Sequence, residues 1–354
     1  MRRFAEILLV GSFISLVPAC GGTTPQAASA ESPSMSPAEA RQFIAGVQQE
    51  RGVTPDTTPV TSVDQLLDIL TADDINRFDE ANRLVAGKPG IDAMSLNATI
   101  ELCWSDSLNT VALIVEELRK RDAVEVQRLT QQRDAGREFT DQDKKDLERA
   151  EQAVAFDVKT RAALEVLAKD HLGAGGAIVH EELRQFPSDA RTYRVAAFYY
   201  LLTADWQHFD TSMQWLKDSE ATDSGLQYLR GLEALLRYAI KKEASAFLRK
   251  SLELNAKQVR AQAKLVLTEE GIEPIHAELE KLRAVSPRHP VVTIAGPSIT
   301  SAYEMATAFS KARVTRPAAA APPASPGAGA PATQGPAPVS PVPAPAAPSA
   351  PPAH

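Results

Sequence analysis

Apolar residues recur along most of the chain at spacings of three and four, the period that places them on one face of an α-helix. One stripe includes Val111, Ile114 and Leu118 within residues 92–129, and a similar stripe follows over residues 141–166. Alternation of apolar and polar residues, which is typical of strands, is scarce. The pattern predicts an all-α fold in which these two stripes pair as a long antiparallel hairpin, because each needs to be covered. The alternative is a protruding arm that remains largely solvated.

Helix starts can be placed from capping patterns, in which a hydroxyl residue is followed three positions later by a residue that reaches back to it. Four such patterns occur before residue 156, and they begin at Ser36, Ser62, Thr71 and Thr140. Proline directly after Ser36 strengthens the first of them, since proline is favoured in the first helical turn. The patterns predict an N-terminal helical region over residues 36–155.

From residue 156 onward the pattern changes to short helical hairpins with small and bulky residues at regular positions. The clearest unit spans Leu226 to Ala256. Its bulky positions are Tyr228, Leu235 and Leu248, and its small positions are Gly231, Ala244 and Ser251. This unit resembles a tetratricopeptide repeat, whose period is 34 residues. Two features depart from that family: Phe209 stands at a position that is normally small, and Ala256 replaces the closing proline. The alternative is a generic bundle of helical hairpins.

The resemblance implies a helical-hairpin solenoid over residues 156–313. A first hairpin is expected at residues 156–187, with its turn at Gly173–Gly176, and a capping helix is expected at residues 299–313. In such solenoids the first helix of each unit lines a concave face. The residues expected there, as a peptide-binding groove, are Arg191, Arg194, Phe198, Leu201, Leu226, Leu229, Glu233, Arg237 and Arg260.

The chemistry of this predicted groove suits a peptide. Arginine can hold a peptide carboxylate through paired hydrogen bonds, while Phe198 and the leucines accept apolar side chains. The alternative is that these arginines are solvated or pair with local Glu and Asp residues.

The N-terminal end of the chain differs in composition from the helical body. Residues 1–19 have an N-terminal arginine pair and a short apolar run, as a signal peptide does, and they end directly before Cys20, in the motif Val17-Pro18-Ala19-Cys20. This ending resembles the bacterial lipobox, which implies that Cys20 is acylated, with chains such as palmitate, and holds the protein at a membrane. Ordinary secretory cleavage after Ala19 is the alternative. Residues 20–35 are expected to be a disordered tether, because they contain almost no bulky apolar residues.

Residues 314–354 form an Ala/Pro-rich tail that is also expected to be disordered. Thirteen of the 25 prolines of the chain lie in residues 317–354, which hold no Asp, Glu, Lys, Arg, Phe, Trp or Tyr. Such a composition favours an extended, polyproline-like conformation. The tail is expected to be either a spacer or an inert extension.

Charge and residue chemistry narrow the function classes. The net charge is −7 and no long basic run occurs, so a nucleic-acid partner is not expected. If Cys20 is acylated, Cys103 has no disulfide partner, and its apolar neighbours predict a small buried residue. The six histidines are not spaced as metal ligands, and no catalytic motif is recognisable. We therefore expect no metal, no cofactor and no enzymatic activity.

Together these features predict a lipid-anchored protein of the bacterial cell envelope. We expect it at the outer membrane, facing the periplasm, where it acts as an interaction scaffold or assembly factor through the repeat groove. Other envelope proteins are the expected partners, and the oligomeric state is left open. One alternative is an envelope enzyme, related to peptidoglycan, with an unrecognised site in residues 36–155. Another is a purely structural spacer.

Overall fold

The computed structural model describes residues 35–54 and 56–315, with side chains described as far as residue 308. Within these residues the chain forms α-helices, two 3₁₀ turns and one π-helical turn, and no strand. The all-helical prediction is therefore confirmed. The predicted signal peptide, Cys20 and almost all of the tether lie outside the described residues, as does the tail beyond Thr315.

Twelve α-helices follow one another in the described part of the chain. The N-terminal region contains α1 (Pro37–Glu50), α2 (Val63–Thr71), α3 (Phe78–Val85), α4 (Ile91–Asp134) and α5 (Asp141–Gln185), with a 3₁₀ turn at Ile75–Arg77. Shorter helices follow, namely α6 (Ala190–Leu202), α7 (Trp206–Trp215), α8 (Ser224–Leu236), α9 (Lys241–Leu254), α10 (Val259–Thr268) and α11 (Ile272–Val285). The second 3₁₀ turn is Lys217–Ser219, and the π-helical turn Val291–Ala295 leads into α12 (Gly296–Thr315). None of these helices combines the length and apolar composition that crossing a bilayer requires.

Two of the predicted capping patterns form in full. The Ser36 and Thr140 hydroxyls each accept a hydrogen bond from a backbone N–H three residues later, and the acidic side chain there accepts one in return. The Thr71 pattern is wrong, because Thr71 ends α2 and its hydroxyl donates to the carbonyl of Leu67 at 2.7 Å. The chain then turns at Asp73, whose φ of 48° is left-handed.

The long hairpin consists of α4 and α5, which pack side by side over much of their length. Arg161 Nη1 lies 2.8 Å from Glu116 Oε2, and further along, His171 Nδ1 lies 2.7 Å from Glu101 Oε2. As the residue number of the contact rises along α5, that of its partner on α4 falls. The two helices are therefore antiparallel, and the predicted pairing is confirmed. Helix α1 packs on α5 near these contacts.

The hairpin predicted at residues 156–187 is wrong, because α5 continues unbroken through Gly173–Gly176 to Gln185. A Cβ at Gly175 would lie 2.9 Å from Leu102 Cδ2, and one at Gly176 would lie 2.5 Å from Tyr199 Cε2. These glycines therefore permit close helix contacts rather than a turn. The predicted start of the repeats at residue 156 falls inside this helix.

Short hairpins do follow α5. The pairs α6 with α7, α8 with α9 and α10 with α11 each pack together. In the clearest unit, Gly231 lies directly against Leu248, and Ala244 and Ser251 have no exposed surface. The predicted small and bulky positions of this hairpin therefore meet as expected. The described residues up to Phe309 belong to one compact unit.

A candidate binding cleft and the buried ionic network beneath it

A cleft of about 610 Å³ opens where α2 meets α6, α8 and the loop before α10. Its volume lies in the range of pockets that bind ligands in other proteins. The apolar part of its lining comes mainly from Leu67, Leu70, Val195, Phe198, Leu226 and Leu229. At the rim, Leu67 and Leu254 remain 45% and 37% exposed. The cleft therefore offers an apolar surface that is only partly covered.

The structure brings five of the nine predicted groove residues into this cleft, namely Arg194, Phe198, Leu226, Leu229 and Arg260. The other four lie elsewhere. Leu201 is in the core with no exposed surface. Arg191 pairs with Asp189 and Asp92, and Glu233 and Arg237 pair with each other at 3.1 Å. Local ion pairs hold these charged side chains outside the cleft, and the pairing of Arg191 and Arg237 with Asp and Glu residues agrees with the alternative interpretation given above.

Arg194 lies at the rim of the cleft, and its side chain is 47% exposed. Its Nη2 donates to Oδ2 of Asp223, the residue that caps α8. The other carboxylate oxygen of Asp223 accepts from the N–H groups of Gly225 and Leu226, at 2.8 and 3.1 Å. Both oxygens of Asp223 are therefore used, one by the helix start and one by Arg194.

Arg260 forms part of the cleft wall and also reaches into the interior. Its Nε lies 3.1 Å from Oδ1 of Asp73, and its Nη2 donates to the carbonyl of Leu70 at 3.1 Å. The guanidinium also lies over the ring of Tyr228, 5.9 Å from the centroid. Arg260 thus holds the end of α2 against α10, and α2 forms one wall of the cleft.

Asp73 has no exposed surface and gathers three side chains. Besides Arg260, the Ser107 hydroxyl donates to its Oδ2 at 2.6 Å, and His289 Nε2 lies 2.9 Å from the same oxygen. Because Nδ1 of His289 accepts from the Val291 N–H, Nε2 carries the proton that is shared with Asp73. Burial alone would raise the pKa of Asp73, but Arg260, His289 and Ser107 outweigh it and lower the pKa to about 2.

A second buried carboxylate, Asp106, lies next to Ser107 on α4. Lys264 Nζ is 2.8 Å from its Oδ1, and the Tyr228 hydroxyl donates to its Oδ2. With Asp73, Asp106 joins α4, α8, α10, the turn after α2 and the turn before α12. We call this set of side chains the buried ionic network.

Sequence reasoning missed this network. The capping pattern at Thr71 predicts that Asp73 lies in the first turn of a helix, whereas the structure buries it in a left-handed turn. A usable signal was Ser105-Asp106-Ser107, since three consecutive polar residues separate Leu102-Cys103-Trp104 from Leu108. Polar residues on the buried face of a helix require partners of their own.

Cys103 also lines the cleft wall, where it is 1% exposed. Burial raises the pKa of its thiol to about 12. A thiol in this state is protonated and unreactive at neutral pH. The structure thus agrees with the prediction of a small buried residue.

A further buried pair joins His171 to Glu101, with the His171 ring stacked on Trp104 at a centroid distance of 3.9 Å. Asn82 donates to the same carboxylate at 2.6 Å. Trp104 is thus part of the packing around this pair. In the described residues, no group of three or more His, Cys, Asp or Glu side chains is arranged to hold a metal ion.

No protein-family model, curated protein or solved structure matches the chain. The cleft is therefore interpreted through its own geometry and charge.

Proposed function

We propose that this protein is a lipid-anchored scaffold of the bacterial envelope that docks a segment of a partner protein in the cleft. The cleft carries this proposal, because it combines an apolar lining with the half-exposed guanidinium group of Arg194 at its rim. Apolar surface gives a bound segment its affinity, and the charged groups fix its orientation. The proposal assigns no catalytic step.

The proposed location rests on the sequence. The Val17-Pro18-Ala19-Cys20 motif would place two or three acyl chains on the amino terminus, which is sufficient for stable anchoring. Outer-membrane attachment, with the body facing the periplasm, is part of the same proposal. So is a tetratricopeptide-like stacking of the three short hairpins, for which the buried contact of Gly231 with Leu248 is the main support.

A site-specific crosslinking experiment tests the docking. A photoreactive amino acid is placed at Leu67 or Leu254 on the cleft rim, or at Val124 or Val285 as controls. The two control positions are 65% and 61% exposed and are not part of the cleft. We expect the same envelope protein to crosslink from both rim positions and from neither control position.

A charge reversal then links the crosslink to the cleft. Arg194→Glu is expected to remove the crosslink from Leu67, because it places a negative charge at the rim. Arg191→Glu and Arg237→Glu reverse the same type of charge outside the cleft, and they should leave the crosslink intact. Equal capture from rim and control positions, or loss with all three variants, would contradict the proposal.

A further inference from the structure

At the α8 end of the cleft, most of the charged and capping groups are hydrogen-bond donors. Arg194 and Arg260 both line it, and α8 begins there at Ser224. The start of a helix carries a partial positive charge, which adds to that of Arg194, whereas the charge of Arg260 is already balanced by the buried Asp73. Asp223 is the acidic residue of the lining, and both of its oxygens already have partners. This end of the cleft is therefore complementary to an anion.

We propose that the docked segment presents an acidic side chain beside aliphatic residues, and that this side chain replaces Oδ2 of Asp223 as the partner of Arg194. The inference rests on the proposed function and specifies the chemistry of the partner. Arg194 is half exposed at the rim rather than at the closed end of the cleft. A chain that passes over the rim can therefore place a side-chain carboxylate on Arg194 without burying its own terminus.

The local geometry supports an exchange of partners. Asp223 Oδ1 holds the first turn of α8, whereas Oδ2 holds only Arg194. Gly225 leaves room for this pair, because a Cβ there would lie 3.2 Å from Asp223 Oδ1 and 3.7 Å from Arg194 Nη1. Arg194 can thus turn toward an incoming carboxylate while Asp223 continues to cap the helix.

Asp223 is therefore a specificity-determining residue whose substitution by Asn should strengthen binding rather than weaken it. In Asp223→Asn the side-chain oxygen can still accept from Gly225 and Leu226, since asparagine caps helices about as well as aspartate. The negative charge that competes for Arg194 is removed. Binding of an acidic segment should therefore become stronger, by about two- to fivefold, which is the effect of losing a partly exposed ion pair.

The test uses two immobilised-peptide mixtures. Both are amidated nonapeptides with Leu, Val, Ile or Phe at random flanking positions, and they differ only in a central Glu or Gln. We expect the natural protein to be retained more by the Glu mixture, Asp223→Asn to increase that retention, and Arg194→Gln to abolish the preference. Arg191→Gln, which changes an arginine outside the cleft, is the matched control and should behave as the natural protein does.

Several outcomes would overturn the inference. Absent or equal retention of the natural protein on the two mixtures would do so, as would unchanged or weaker retention of Asp223→Asn on the Glu mixture. Equal melting temperatures of Asp223→Asn and the natural protein would establish that α8 keeps its cap. If crosslinking from Leu67 still depends on Arg194 while the Glu mixture is not preferred, only the acidic-segment inference fails. If both experiments fail, the docking function fails with it.

Discussion

Asp73 and Asp106 are carboxylates with almost no access to water, and each is bonded to more than one donor. Breaking a buried ion pair is strongly destabilising, because removing one partner leaves the other charge uncompensated. The importance of single residues in this protein is therefore greatest in the buried ionic network. Exposed pairs such as Lys144 with Asp141 contribute little by comparison.

Asp73→Asn should destabilise the protein by roughly 3 kcal/mol at pH 7, because Arg260 loses its buried counter-ion. Asparagine tolerates the left-handed φ at this position, so the backbone is not strained, and the loss combines the removed charge with the replacement of one accepting oxygen by an NH2 group. The free energy of unfolding from urea titrations measures the effect. Asp74→Asn is the matched control, since the adjacent Asp74 makes no side-chain cap bond, and its effect should stay within about 0.5 kcal/mol.

The ion pair of Asp73 with Arg260 also predicts that the stability of the protein depends on pH. The folded-state pKa of Asp73 is lowered from 3.8 to about 2. Its contribution to stability is therefore present above pH 4 and is lost as the pH falls toward 2. Asp73→Asn should lose less stability than the natural protein in that window. An equal loss would show that other carboxylates cause the acid sensitivity.

Asp157 in the long hairpin should show the opposite behaviour. Its burial, and then the nearby charge of Asp122, raise its pKa from 3.8 to about 7, and the residue is 5% exposed. A raised acid pKa means that stability is lost as the pH rises from about 4 to 7. Asp157→Asn should therefore be more stable than the natural protein at pH 8, by up to roughly 4 kcal/mol, since one pKa unit corresponds to about 1.4 kcal/mol. Urea titrations at pH 5 and pH 8 measure this, with the exposed Glu148→Gln as control.

At the scale of helices, the stripes of apolar residues were sufficient to predict the α4–α5 hairpin, and two capping patterns placed helix starts correctly. The turn at Gly173–Gly176 was predicted wrongly, because a glycine cluster has the same composition in a turn and at a close helix crossing. Only the positions of Leu102 and Tyr199 in space distinguish the two cases. Residues far apart in sequence supply that information.

Substitution of these glycines tests their role. Gly176→Ala should destabilise the protein by about 1–3 kcal/mol, because its Cβ would overlap the Tyr199 ring. Gly173→Ala, three positions earlier on the same helix, meets no atom within 4 Å. It should stabilise the protein by up to about 1 kcal/mol, the usual advantage of alanine over glycine in a helix. Thermal unfolding of the two variants gives the comparison, and equal effects would argue against the close crossing.

The candidate site was predictable where its residues follow one helix face, as Arg194 and Phe198 do on α6. The far wall of the cleft was not, since it comes from α2. Arg260 and Asp73 are 187 residues apart in sequence, and neither the repeat period nor a capping pattern relates them. The periodicity therefore identified one side of the cleft, and tertiary packing determined the other.

At the scale of the whole molecule, the proposed anchoring depends on one residue outside the described chain. Cys20→Ser should move the protein from the membrane fraction to the soluble periplasmic fraction, because the acyl chains supply the membrane affinity. Cys103→Ser is the matched control and should leave fractionation unchanged. Mass spectrometry of the mature amino terminus gives an independent readout, and an unmodified Cys20 would contradict the lipoprotein proposal.

The unbroken course of α5 has a consequence for any attempt to divide this protein. A cut at residue 156 would sever a helix of 45 residues in its interior and would remove the Glu116–Arg161 and Glu101–His171 contacts. Fragments 36–155 and 156–315 should therefore be sensitive to limited proteolysis when they are produced alone. The intact protein should melt in one cooperative transition, and two resolved calorimetric peaks would show that the halves unfold independently.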